Sequence, residues 1–144
     1  MISNARLQDI ERWGVLYARI ALGCTFLSAV AGRFGLWERT ISLNYFNTNF
    51  IPYAAQVNSF MPASVVPFLA WTATILEICF GILLIFGLWL RWVAPSAAVL
   101  LLMFGTAMAI SFGPKSPMDY SVFADVGLAV MLGLYACKQA NQQV

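Results

Sequence analysis

The fold of this chain is decided by residues 69–90, LAWTATILEICFGILLIFGLWL. A helix needs about 20 apolar residues to cross roughly 30 Å of hydrocarbon at a rise of about 1.5 Å per residue. This stretch is long enough, and its only carboxylate is that of Glu77. It therefore predicts a membrane-spanning helix with one charge near its middle.

Three further stretches have the same character: 13–32, 92–112 and 120–137. None shows the alternation of apolar and polar residues that is typical of a half-buried strand. Tryptophan side chains, which prefer the membrane–water interface, mark several of the ends. We predict an all-α integral membrane protein, a single domain over residues 1–144 that folds as a four-transmembrane-helix bundle.

The composition agrees with this prediction and excludes several functions. Of the 144 residues, 61% are hydrophobic and 10% are charged, whereas about a quarter of the residues in a soluble domain are charged. The net charge is only +2, and no run of Lys or Arg suggests a nucleic-acid partner. The chain has no His and three widely separated Cys, so we predict neither a metal site nor a redox dithiol.

The region between the first two spans, residues 33–67, is too long for a passive turn. Its apolar residues Phe50, Tyr53, Val57 and Phe60 recur at helical spacing. We therefore predict a short amphipathic segment that lies on the membrane interface or folds over the mouth of the bundle. It is either a structural cap or a lid over a site.

Four charged residues lie in or beside the spans, where an ionisable group costs at least about 2.5 kcal/mol at the bilayer centre and is a candidate functional residue. They are Arg19, Arg33, Glu77 and Asp125. Counted along the helices, both carboxylates fall about 20 Å from the boundary on the side of the termini. If they face each other, one holds a proton unless an arginine neutralises the pair. The alternative is that Arg19, Glu77 and Asp125 form an ion-pair network, with Arg19 as the partner of Glu77, that only fixes helix register.

The order of motifs along the chain resembles the DoxX family of small bacterial membrane proteins. The motifs are Arg19-Ile-Ala-Leu-Gly23 with Arg33 at the end of the first span, Glu77-Ile-Cys-Phe-Gly81 with Gly87 and Arg91, and Gly113-Pro-Lys-Ser-Pro-Met-Asp-Tyr120 before the last span. Each motif is weak alone, but their order and spacing over four spans are specific.

The resemblance implies a four-helix subunit of the bacterial inner membrane. Relatives of the DoxX type include the membrane part of a thiosulfate:quinone oxidoreductase. We therefore expect a small subunit of a redox system that offers a polar site to a quinone or a similar lipid-soluble ligand. The candidate residues of this site are Arg19, Arg33, Glu77, Lys115, Tyr120 and Asp125.

The chain offers no haem ligand pair, no dinucleotide-binding Gly-rich loop and no cysteine set for an iron–sulfur cluster. No intrinsic cofactor is expected, so electrons would come from a redox partner subunit or a diffusing substrate, and the chain alone is not expected to be a complete oxidoreductase.

Two other functions stay open. A proton-coupled transporter would use the intramembrane carboxylates, and with four spans it would require a homo-oligomer. A non-catalytic scaffold or assembly protein would use only its helix faces and the segment 33–67. Membrane lipid is a partner in every case.

The distribution of basic residues favours an orientation with both termini in the cytoplasm, because cytoplasmic loops carry an excess of Lys and Arg. The side of the termini holds Arg6, Arg12, Arg91 and Lys138, and the other side holds Arg33, Arg39 and Lys115.

Overall fold

The computed structural model describes residues 4–142, and within that range it contains helices and turns but no β-strand. In chain order the elements are α1 (Asn4–Arg33), α2 (Leu43–Tyr45), a π-helix (Phe46–Phe50), α3 (Ile51–Val57), α4 (Val66–Phe86), α5 (Leu90–Phe112), α6 (Lys115–Asp119) and α7 (Val122–Asn141).

Four of these helices, α1, α4, α5 and α7, are long and apolar enough to cross a membrane. The predicted four-helix membrane bundle is therefore confirmed. α1 begins well before the predicted start at residue 13, and the other helix ends differ from the predicted span ends by at most a few residues. Many large apolar side chains on the outer surface are exposed, as expected for helices that face lipid.

The tight hairpin between α4 and α5 depends on a glycine. Gly87 has a φ of 71°, a left-handed conformation that costs an L-residue with a Cβ about 1–2 kcal/mol. Its N–H group bonds back to the last turn of α4, and the N–H of Leu88 bonds to the carbonyl of Leu83 at 2.9 Å. The two spans are thereby antiparallel neighbours.

The bundle is built from two closely packed helix pairs. In the first, α1 crosses α4 where Gly23 faces Gly81, and a Cβ on Gly23 would lie 2.8 Å from the Gly81 carbonyl oxygen. In the second, Gly133 of α7 makes room for the ring of Pro95 in α5. α5 also packs against α4, and α1 against α7, so α4 and α7 occupy opposite corners. Small residues at such crossings let helices approach closely in lipid.

The segment between α1 and α4 folds over the mouth of the bundle, on the side away from the termini. Phe46 is fully buried, with its ring centroid 4.4 Å from that of Trp71 and 5.0 Å from that of Phe34. Further along, the carbonyl of Val57 accepts a hydrogen bond from Ser111 Oγ at 2.6 Å. We call residues 43–57 the lid; of the two predicted positions, on the membrane interface or over the mouth, the structure has the second.

Candidate functional site in the membrane

The candidate site is an ion pair buried between α1 and α4. Arg33, the last residue of α1, donates a hydrogen bond from Nη2 to Glu77 Oε1 at 2.7 Å and one from Nη1 to Thr74 Oγ1 at 3.0 Å. The second carboxylate oxygen, Glu77 Oε2, is also in ion-pair contact with Nη1. The side chains of Arg33 and Glu77 are only 12% and 3% exposed. Because both groups are buried, removal of either partner would leave an uncompensated charge and strongly destabilise the protein.

Local helix geometry explains why these three side chains meet. Thr74 and Glu77 are three residues apart on α4, so they lie on the same helix face. Thr74 Oγ1 itself donates a hydrogen bond to the carbonyl of Ala70 at 2.7 Å, which fixes its lone pairs toward Arg33. Arg33 reaches them because the antiparallel register set at Gly23 and Gly81 brings the end of α1 beside this face.

Phe50 and Phe46 of the lid cover the ion pair, and we call these two side chains the aromatic roof. The guanidinium carbon of Arg33 lies 4.4 Å from the ring centroid of Phe50, a cation–π contact. Phe50 in turn lies 5.1 Å from Phe46, which contacts Trp71 of α4. Polar groups beside aromatic side chains are typical of small-molecule sites.

The second carboxylate oxygen of Glu77 depends on Arg33 alone. Glu77 Oε2 is buried, and within residues 4–142 its one polar contact is the ion-pair contact with Arg33, without a hydrogen bond of adequate geometry. A buried carboxylate oxygen without such a bond is uncommon in native structures.

Arg19 is not the partner of Glu77, so the predicted Arg19–Glu77 pair is wrong. Its Nη2 donates a hydrogen bond to the carbonyl of Ile85 at 3.2 Å, and its guanidinium lies against Gly87. A cation is favourable there because the unpaired carbonyls of a helix C-terminus carry partial negative charge. Arg19 therefore links the middle of α1 to the C-terminal end of α4, away from Arg33 at the end of α1.

Asp125 is also separate from the ion pair. It lies in the first turn of α7, on the helix at the corner opposite α4, and no charge–charge interaction links it to Arg33 or Glu77. Within the described range its side chain forms no hydrogen bond or ion pair. The structure therefore does not bring the two carboxylates together, and the hypothesis that they share a proton is not upheld.

The last two predicted residues lie on the outer surface near the mouth. Lys115 is 85% exposed and pairs with Asp119 on the same short helix at 2.5 Å. Tyr120 is 69% exposed and lies near Tyr53 of the lid. Burial raises the pKa of the Tyr53 phenol, Tyr120 raises it further, and Arg33 lowers it. Tyr53 is therefore a neutral hydrogen-bond donor at physiological pH.

Several residues of the site were not among the predicted candidates: Thr74, Phe46, Phe50, Tyr53 and Trp71. Thr74 shares a polar stripe with Glu77, and Phe50 and Tyr53 belong to the periodic pattern of residues 50–60. These signals indicated helix faces. They could not indicate that the faces converge on Arg33, because that depends on how the lid folds.

The fold and the site define a four-helix integral membrane protein with a buried arginine–glutamate pair beneath an aromatic lid. Residues 14–111 match the model of the DoxX family. The match covers more than half of the chain, and the protein belongs to the DoxX family. Neither a curated protein nor a solved structure matches the chain.

Proposed function

We propose that this protein is a small inner-membrane subunit of a redox system that binds a quinone or a similar lipid-soluble carbonyl compound between the lid and the Arg33–Glu77 pair. The observation that carries the proposal is the buried network of Arg33, Glu77 and Thr74 beneath the aromatic side chains of the lid. Intramembrane ionisable residues are rare and generally mark functional sites.

The chemistry of the network suits both redox states of a quinone. The guanidinium of Arg33 donates to a carbonyl oxygen, and hydrogen bonds from a charged donor are about twice as strong as neutral ones. Glu77 Oε2 accepts from the hydroxyl group of the reduced form. When the lid opens, a planar ring packs against Phe50 and Trp71 in offset or edge-to-face contacts that replace part of their present contacts with Phe46.

Access to the network requires movement of the lid. The lid contacts α5 through the hydrogen bond between Ser111 and Val57, and Tyr53 stacks on Phe112 at a centroid distance of 6.2 Å. Phe46, Ala54 and Val57 of the lid are buried, so opening exposes apolar surface but disrupts only one segment and not the four spans. A ligand enters from the outer half of the membrane, past Tyr53 and Tyr120.

This chain contributes ligand binding and proton exchange at Glu77. The electrons come from a partner subunit or a diffusing substrate. The family membership supports a role in membrane redox chemistry and does not identify the partner.

The proposal is tested first by mass spectrometry of the small molecules and proteins that co-purify with the full chain from its native membrane in mild detergent. We expect a bound quinone or a recurrent redox partner. Lipid alone, with no partner, would contradict the proposal and favour transport or scaffolding, which flux measurements in proteoliposomes then separate.

A binding measurement locates the site. Added short-chain quinone should quench the fluorescence of Trp71, which lies beside the aromatic roof, and Trp71→Phe should remove that component. Glu77→Gln should fold but raise the Kd by about tenfold or more, because a hydrogen bond to a charged group contributes about 1.5–3 kcal/mol. Glu38→Gln makes the same change at an exposed position and should leave the Kd unchanged. Equal Kd values for both variants would place the ligand elsewhere.

A further inference from the structure

A second site lies between α1 and α7, in the half of the bundle that carries the termini. A groove of about 390 Å³ separates the two helices there. Its walls are apolar and are formed by Gly14, Val15, Ala18, Leu128, Met131 and Leu132. A Cβ added to Gly14 would meet no atom within 4 Å. The groove is therefore open at this point, with room for part of an acyl chain.

The apolar groove continues into a polar one of about 800 Å³, and the two share Glu11, Tyr135 and Lys138. Asp9 and Arg12 line the polar part. It thus presents two carboxylates and two cations, and within residues 4–142 none of the four forms an ion pair or a hydrogen bond through its side chain. Charges of both signs are available to a ligand.

The junction of the two grooves coincides with the membrane boundary. Trp13, Trp89 and Trp92 are 71%, 72% and 66% exposed on this side of the bundle, and exposed tryptophans concentrate at the headgroup level. Trp13 lies between Glu11 and Gly14 on α1. The apolar groove therefore lies in hydrocarbon, and the polar groove lies among the headgroups.

We propose that this composite groove binds one phospholipid with a phosphoethanolamine headgroup. An acyl chain occupies the apolar groove, Lys138 and Arg12 bind the phosphate, and Glu11 and Asp9 bind the ammonium group. The carboxylates favour ethanolamine over choline, because only a primary ammonium donates hydrogen bonds to them. The charges also favour this occupant over two others. A lipid with only a negative headgroup would place its phosphate near two unneutralised carboxylates. A helix from a second copy would bury all four charges, at a large desolvation cost.

The test uses the full chain in mild detergent with an equal mixture of synthetic phosphatidylethanolamine, phosphatidylcholine and phosphatidylglycerol, and counts bound lipids by native mass spectrometry. We expect the wild type to retain one lipid, preferentially phosphatidylethanolamine. Gly14→Leu fills the groove from an open position and should reduce retention about tenfold, through lost apolar contact. Gly127→Leu is the matched control, because Gly127 is equally open but does not line the groove.

The headgroup assignment has its own variants. Glu11→Lys should shift the preference from phosphatidylethanolamine to phosphatidylglycerol, and Lys138→Glu should reduce retention of both. Equal retention of all three lipids, or equal retention by Gly14→Leu and the wild type, would overturn the proposal. So would a lipid-free dimer that Gly14→Leu converts to a monomer, because the occupant would then be a second copy. None of these outcomes depends on quinone binding.

Discussion

Arg33 shows how a charge can be held within a membrane bundle. Its guanidinium has a carboxylate, a hydroxyl oxygen and an aromatic ring as neighbours, so its loss of water is compensated on several sides. Replacing a complete buried ion pair with apolar residues is nevertheless often neutral or stabilising. Stability alone therefore does not explain why this pair is present, which is consistent with a role in binding.

Removing one partner of the pair should be much more harmful than removing both. We expect Glu77→Leu to cost about 3–5 kcal/mol, because it leaves Arg33 buried and unpaired, and to lower the Tm in detergent by on the order of 10 °C. Glu77→Gln keeps an acceptor for Arg33 and should fold, and the double variant Arg33→Met with Glu77→Leu should recover most of the loss. A double variant as unstable as Glu77→Leu would contradict this explanation.

Gly87 should be sensitive for two reasons, its backbone conformation and its contact with Arg19. A Cβ added to Gly87 would meet the guanidinium of Arg19, in addition to the strain of a left-handed φ of 71°. We expect Gly87→Ala to lower the Tm in detergent. In an Arg19→Ala background the loss should be smaller, since variants in direct contact are not additive. An equal loss in both backgrounds would exclude a role for Arg19.

At the scale of elements, the contact between α1 and α4 sets the register that brings Arg33 to Glu77. A Cβ on Gly23 would lie 2.6 Å from Ile85 Cγ1 as well as against the Gly81 carbonyl. We expect Gly23→Ala to destabilise the protein by about 1–3 kcal/mol, the usual cost of overpacking, and to weaken quinone binding. Gly127→Ala, at an open position, should do neither. Thermal unfolding and the fluorescence titration measure the two effects.

The lid is the second element whose contacts can be tested separately. We expect Ser111→Ala to speed amide exchange in residues 51–57 by up to about tenfold, because it removes a hydrogen bond with a net contribution of about 0.5–1.5 kcal/mol. Hydrogen–deuterium exchange with mass spectrometry measures this effect. Thr106→Ala serves as control, since Thr106 bonds only to Leu102 within α5. An unchanged exchange rate in the lid would show that Ser111 does not hold it closed.

At the scale of the whole molecule, the orientation stays a prediction from the distribution of basic residues. Arg33 is neutralised by Glu77 inside the bundle, so it no longer counts as a loop charge. The side of the termini then has four basic residues and the other side has two, Arg39 and Lys115. We expect reporters fused to either end of the chain to be active in the cytoplasm, and a cysteine at position 39 to react with an impermeant reagent from outside. Opposite labelling would invert the assignment.

The sequence by itself determined the number and nature of the spans. Each span is a local property, since about 20 apolar residues must form a helix when no water is present to satisfy the backbone. The charged residues of the spans could be recognised in the same way, because Arg19, Glu77 and Asp125 stand out in apolar stretches of sequence whatever residues they contact in the fold. A short helical segment between the first two spans also followed from local periodicity, which left open whether it lies on the interface or over the mouth.

Only the tertiary structure decided which of these residues meet. Arg33 and Glu77 are 44 positions apart, and their contact depends on the register of α1 against α4. Arg19 lies in the middle of α1 and Arg33 at its end, and nothing in the sequence distinguishes one from the other as the partner of Glu77. Asp125 was placed with Glu77 by depth alone, but depth does not specify which corner of the bundle a helix occupies. Packing at Gly23, Gly81 and Gly133 decides that arrangement, because close approach of backbones is a property of two helices together.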